Sequence, residues 1–186
     1  MKLLQSLREG NFFLKDNFFD ENTFLKIQEE YNSLEFLPYY QPKNIFFGNR
    51  FQAYPTYETT DLTGFIFDEF VKNLNNIIDE EIESIYIKAR YTLSEEVKQC
   101  KAVQNRYGFI HKDGGDVDFA CMFYFDTTPR GGTAFYDNEY DKYPMIEVGA
   151  KTNRLLLYNA NRNHAVANDL KFDKRKTIIA FFKTRR

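Results

Sequence analysis

Apolar positions recur along this chain with two different periods, and the change falls near residue 80. In "DENTFLKIQEEYNSL", Phe24, Ile27 and Tyr31 are spaced by three and four residues, so a helix would gather them on one face. Asp20 and Asn22 stand ahead of them as N-cap candidates, because a short polar side chain can accept from an orphaned backbone N–H there. "DLTGFIFDEFVKNLNNIIDEEI" brings Phe65, Phe67, Phe70, Val71, Leu74 and Ile78 into a second helical pattern, with Gly64 blurring its start. Beyond residue 80 the period shortens to two. "SIYIKARYTL", "FACMFYFD", "GGTAFYD", "RLLLYNA" and "KTIIAFFKT" are short, aromatic or branched, and separated by Gly, Pro, Asn and Asp. "NFFLKDNFF", residues 11 to 19, reads as one more strand at the start. The pattern predicts a mainly β fold with flanking helices: antiparallel sheets closed into a sandwich or barrel, with the N-terminal helices packed on one face.

Composition narrows this without changing it. A chain of 186 residues is expected to form a single domain, with residues 1–80 as helical support and 81–186 as the β core. Twenty Phe and thirteen Tyr predict a packed interior rather than disorder. No internal repeat or low-complexity tract interrupts it. The net charge of −2 offers no broad handle for nucleic acid or anionic lipid, and the closing "KTRR" reads as a solvated tail. Two cysteines, Cys100 and Cys121, form no CxxC pair and suggest reduced thiols, with Cys121 a small core residue. The N-terminal residues lack a signal-peptide pattern, and the apolar runs are too short to span a bilayer. A cytoplasmic protein without membrane partners is expected.

The candidate chemistry lies in the only two histidines. His111 opens "HKD", and His164 follows about fifty residues later in "NRNHAVAND". In a strand, residues i and i+2 face the same way, so His111 and Asp113 could point into one cavity. Two imidazoles and a carboxylate on one face of a metal leave its other positions open, as in non-haem Fe(II) oxygenases. An HxD triplet also arises by chance, and strand histidines often serve only packing. Eleven residues beyond His164, Arg175 and Thr177 alternate onto one face of "KRKTIIAFF" with Ile179. An arginine in an apolar strand calls for an anion, and its guanidinium fork beside a hydroxyl suits a carboxylate. The alternative is a solvated basic cluster in "LKFDKRK" at the strand's mouth.

The spacing HxD, about fifty residues, His, ten residues, Arg-x-Thr resembles the 2-oxoglutarate- and Fe(II)-dependent dioxygenases, and within them the prolyl-4-hydroxylase-like branch. The similarity begins at "NFFLKDNFFDENTFLKIQEE" and is strongest over residues 105 to 182. There "HKDGGDVDFACMFYFD" resembles the iron-binding turn and next strand, "RGGTAFYD" a double-glycine turn and strand, and "NRLLLYNANRNHAVA" the strand and loop that deliver the second histidine. The resemblance implies a double-stranded β-helix, or jelly-roll, core. It implies His111, Asp113 and His164 as iron ligands and catalytic residues, and Arg175 as partner of the distal carboxylate of 2-oxoglutarate. Thr177 and Tyr124 would assist at the same carboxylate, although a tyrosine among Phe and Met also reads as core. Lys174 precedes Arg175, and some relatives use lysine; strand alternation favours Arg175. Where the family often has glycine, "KTNR" offers Asn153 for the tight turn.

The implied cofactor is Fe(II), with 2-oxoglutarate and O₂ as co-substrates and ascorbate as an accessory reductant where one is used. The implied reaction hydroxylates an unactivated C–H bond, with a prolyl residue in a peptide or protein as the leading substrate. "FFGNRFQAYPTYE", residues 46 to 58, and "DNEYDKYP", residues 137 to 144, are candidate pocket rims, the first with Arg50, Tyr54 and Tyr57. Other readings are the same iron chemistry on a small molecule or a nucleic-acid base, and a non-catalytic jelly-roll binding module. The near-neutral charge argues against nucleic acid. A zinc hydrolase lacks a general-base partner beside the triplet.

Overall fold

Strand and helix follow from where each apolar face can be buried. The computed structural model describes residues 2–38, 56–93, 110–166 and 174–185. In chain order these form α1 (Leu3–Arg8), β1 (Phe12–Asp16), α2 (Glu21–Ser33), β2 (Leu37–Pro38), β3 (Thr56–Glu58) and α3 (Phe65–Asn75). Then come β4 (Ile82–Leu93), β5 (Phe119–Tyr124), β6 (Thr128–Phe135), β7 (Ile146–Ala150), β8 (Arg154–Asn159), β9 (His164–Val166) and β10 (Lys174–Thr184). Among the described residues the strands make a seven-stranded sheet, ordered β1-β8-β5-β10-β4-β3-β2, and a three-stranded sheet, β7-β6-β9. The strand pairs are antiparallel. The architecture is a pair of antiparallel sheets with flanking helices, as the alternating pattern predicts, and a jelly-roll, as the family resemblance implies.

The large sheet has two differently occupied faces. On its outer face Phe119, Cys121, Phe123, Leu155, Leu157, Ile178, Ala180 and Phe182 share one core with Phe24, Ile27 and Tyr31 of α2 and Ile66, Phe70 and Leu74 of α3. On its inner face Ala120, Tyr124, Leu156 and Tyr158 join Phe135, Val148 and Ala150 of the small sheet. Period-two alternation forces this division, since neighbours along a strand face opposite ways. Each large apolar side chain buried in either core contributes roughly 1.5–3 kcal/mol.

Details depart from the periodic reading for local reasons. Asp20 caps α2, accepting from the Thr23 backbone N–H at 3.0 Å and from its hydroxyl at 2.6 Å, whereas Asn22 lies inside the helix. The fully buried face of α3 is Ile66, Phe70 and Leu74; Phe67 and Val71 pack against the core half-buried, Phe65 is exposed, and the helix ends before Ile78. Ile78 still packs against the core from beyond the helix end. The segment before residue 80 supplies three strands to the large sheet as well as its helices. Short α1, β7 and β9 carry too few residues for a period to stand out. The turn between β7 and β8 places Asn153 in the left-handed region, φ 57°. Its side chain accepts from Phe19 N–H at 3.0 Å and donates to Phe19 carbonyl at 2.8 Å, locking the start of α2 to the sheet.

The two glycines of "RGGT" lie within β6 rather than in a turn. The β6–β7 register shifts between Thr128 and Thr133. A Cβ on Gly132 would sit 1.7 Å from the Val148 carbonyl oxygen, so no side chain fits where the two strands approach.

Candidate metal and co-substrate site

His111 and His164 meet through their backbones before their side chains matter. Each donates its N–H to the other's carbonyl at 2.9 Å, an isolated antiparallel bridge. The imidazole ring centroids are then 4.4 Å apart. Asp113 is held separately, its N–H donating to Ala160 carbonyl at 3.0 Å. His111 is thus a single bridging residue followed by a turn, not part of a continuous strand as alternation would have it. Gly114 and Gly115, at φ 59° and 79°, provide that turn.

The side chains converge. Asp113 Oδ1 lies 3.7 Å from His111 Nε2, and Asp113 Oδ2 lies 3.4 Å from His164 Nε2. One donor atom from each residue falls within 4.8 Å of the others. Donors at right angles on a metal with bonds of about 2.1 Å stand about 3 Å apart, so this set suits a divalent cation after small closure. His164 is buried at 4% exposure, and the His111 side chain is the exposed member. Nδ1 of His164 faces Arg162 carbonyl at 2.9 Å. A carbonyl only accepts, so Nδ1 carries the proton and Nε2 presents its lone pair to the site.

Tyr158 completes the cluster, and the sequence reading did not single it out. Its hydroxyl donates to Asp113 Oδ2 at 3.1 Å and lies 3.2 Å from His164 Nε2. Burial, then the Asp113 charge, push this phenol well above its ordinary pKa. In "RLLLYNA" it looks like one more core residue. The usable signal was its alternation with Leu156 onto the inner face.

The other candidates share that face. Thr177 lies opposite Tyr124 in the β10–β5 register, with Arg175 two residues away. Arg175 is only 4% exposed. Its Nε donates to Gly131 carbonyl at 2.6 Å and an Nη to Gly132 carbonyl at 3.4 Å. Its guanidinium carbon is 5.5 Å from the Tyr124 ring centroid. Among the described residues no carboxylate forms an ion pair with it. Arg175 therefore does not belong to a solvated basic cluster. Tyr124 hydroxyl shares a 2.7 Å hydrogen bond with Thr133 hydroxyl, and burial raises its pKa against the opposing pull of Arg175. Thr177 is buried, its hydroxyl 3.4 Å from Arg90 carbonyl. Lys174 is exposed, with its ammonium 3.9 Å from the Tyr91 ring centroid.

The remaining candidates divide. Cys121 is buried in the helix-side core, and burial pushes its thiol up. Cys100 lies outside the described residues, as do Arg50 and Tyr54. Tyr57 is in β3, stacked on Tyr91 at 4.7 Å. Residues 137 to 144 form an exposed turn between β6 and β7, with Tyr140 and Tyr143 largely in solvent.

The fold is shared with solved prolyl hydroxylases and with a 2OG-Fe(II) oxygenase family protein from Burkholderia pseudomallei. A prolyl hydroxylase from Trichoplax adhaerens, solved with a hypoxia inducible factor peptide fragment, superposes with a TM-score of 0.67 at 13% identity, covering 98% of this chain and 88% of that one. A Pseudomonas putida prolyl-4-hydroxylase gives 0.58 at 9% identity, covering 99% and 100%. HygX from Streptomyces hygroscopicus, solved with nickel and 2-oxoglutarate, gives 0.58 at 10%, covering 93% and 82%; a second structure of it also holds hygromycin B. No protein-family model matches the chain, and no curated protein matches it. Among the described residues no helix is long and apolar enough to cross a membrane.

Proposed function

We propose that this protein is a 2-oxoglutarate- and Fe(II)-dependent dioxygenase. The observation that carries the reading is the convergence of His111, Asp113 and His164, inside a fold shared with proteins solved with metal and 2-oxoglutarate. His111, Asp113 and His164 would hold the iron. Bound there, ferrous iron would couple oxidative decarboxylation of 2-oxoglutarate to oxidation of a substrate C–H bond by O₂.

The protein's own part is binding and orientation. Arg175 is a buried cation that pairs with no carboxylate among the described residues, and such a charge is costly until an anion arrives. Its guanidinium, already aimed by the Gly131 and Gly132 carbonyls, would receive the distal carboxylate of 2-oxoglutarate. Tyr124 and Thr177, on either side of the same inner row, would orient that carboxylate. Lys174 takes no part, because it stands on the other side of the strand. The apolar inner wall of Met122, Leu156 and Ile179 would keep water from the reacting centre.

For substrate, the leading reading is a prolyl residue in a peptide or protein, supported by the likeness to two prolyl hydroxylases. The likeness to HygX favours a small molecule as the second reading. Anaerobic addition of Fe(II) and 2-oxoglutarate should produce a visible metal-to-ligand charge-transfer band. The band should vanish in His111→Ala and Asp113→Ala, together with substrate-independent formation of succinate. Full succinate formation in both variants would remove the iron assignment. Mass spectrometry of proline-containing peptides, read for gain of one oxygen atom, separates the two substrate readings.

A further inference from the structure

Among the described residues, both hydrogen-bond partners of the Tyr158 hydroxyl are members of the proposed metal triad. We infer that Tyr158 is a positioning residue for the metal carboxylate: its phenol holds Asp113 Oδ2 and so reserves Oδ1 for the metal. The inference rests on the metal reading above and assigns a role to a residue outside the ligand set.

A phenol has one proton to donate, and two acceptors stand before it: Asp113 Oδ2 at 3.1 Å and His164 Nε2 at 3.2 Å. Nε2 is an acceptor because the imidazole proton sits on Nδ1, against Arg162 carbonyl. A cation bound to Nε2 uses that lone pair. The phenolic proton is then committed to Oδ2 in a charge-assisted hydrogen bond. The other oxygen, Oδ1, already lies on the His111 side, 3.7 Å from Nε2. A carboxylate divided in this way would offer a metal one oxygen rather than two, and so would leave room for a chelating keto acid.

The surroundings argue that the hydroxyl, not just the ring, is being used. Tyr158 is 1% exposed, and Phe135 meets it edge-on at 5.3 Å. Ala120 opposite it on β5 leaves room for a large ring. Phenylalanine would fill this apolar space without burying a polar atom. A buried phenol costs stability unless it is bonded, and here the bonds run to the triad.

The test uses chelator-treated protein and Co(II), whose visible spectrum reports coordination number and ligand arrangement. Tyr158→Phe should bind Co(II) roughly tenfold or more weakly than the wild type, in line with other residues that orient metal ligands. Its visible bands should also change shape. Equal affinity with superimposable spectra would overturn the inference, whereas a wild type that binds no Co(II) would overturn the metal reading itself. A second measurement needs no variant. Saturating the wild type with Zn(II) should produce a near-ultraviolet difference spectrum of about one tyrosine, as the phenol passes from two acceptors to one. Absence of that signal, with Zn(II) shown to be bound, would also overturn the inference.

Discussion

Arg175 shows how much one side chain's surroundings decide. A guanidinium exposed at a strand mouth would be an ordinary solvated charge. At 4% exposure, fixed by two glycine carbonyls, it is a dehydrated donor with its direction already set. Arg175→Ala should raise the apparent KM for 2-oxoglutarate by roughly 10- to 100-fold, as loss of a charged hydrogen bond worth about 1.5–3 kcal/mol implies. Lys174→Ala should leave that constant unchanged. Steady-state succinate assays on the two variants check this, and a raised KM in the lysine variant alone would reverse the assignment. Gly132→Ala tests the support behind the arginine. Its Cβ would strike the Val148 carbonyl, so the β6–β7 pair must separate. A loss of about 1–3 kcal/mol in urea unfolding is expected, along with weaker 2-oxoglutarate binding.

At the scale of elements, the short helix α1 is held by a polar clamp as well as by Leu4 and Leu7. Arg8 donates to both oxygens of Glu80, at 2.7 and 2.6 Å, and Thr184 at the end of β10 donates to the same carboxylate at 2.9 Å. The hydrogen bond from Arg8, opposed by partial burial, lowers the Glu80 pKa to about 2. An unfolded chain returns it to the ordinary glutamate value of about 4.3. The folded state therefore binds the proton less readily, and the clamp's stabilisation is complete above about pH 5. It is lost as pH falls toward 2. Glu80→Gln should flatten the fall of Tm between pH 5 and pH 2.5, measured by circular dichroism. Parallel wild-type and variant curves would exclude the clamp. Asp16, held down by Arg154 and Lys151, ties β1 to β8 by the same logic. Nothing periodic in the sequence pointed to either clamp, since each joins charges from distant segments.

At the scale of the whole molecule, the large sheet keeps two cores apart and the site occupies the inner one. Phe123 anchors the outer core, with ring contacts to Phe18, Phe19, Phe24, Phe70 and Phe125. Phe123→Ala should cost about 3–5 kcal/mol, read by denaturant unfolding, because Phe24 of α2 and Phe70 of α3 both lose their ring contact with it. In contrast, the inner face spends several buried positions on Tyr124, Tyr158, Thr177 and Arg175. An interior built for stability alone would fill these with hydrocarbon. They share the sheet face that carries Tyr158, whose hydroxyl meets Asp113 and His164, so that face rather than either sheet edge is the place where chemistry is expected.

Local pattern by itself determined the periods of helix and strand, the triplet His111-x-Asp113, and which residues of β10 share a face, because these depend on backbone geometry over a few residues. It also left Asn153 as the one residue in "KTNR" suited to a left-handed turn. Only the tertiary structure decided that His164 would bridge to His111, that Arg175 would be stripped of water, and that Tyr158 would meet Asp113 across 45 residues of chain. Those outcomes depend on strand register and on which sheet faces which. Both are set by the joint burial of many distant side chains, and no short window of sequence contains them.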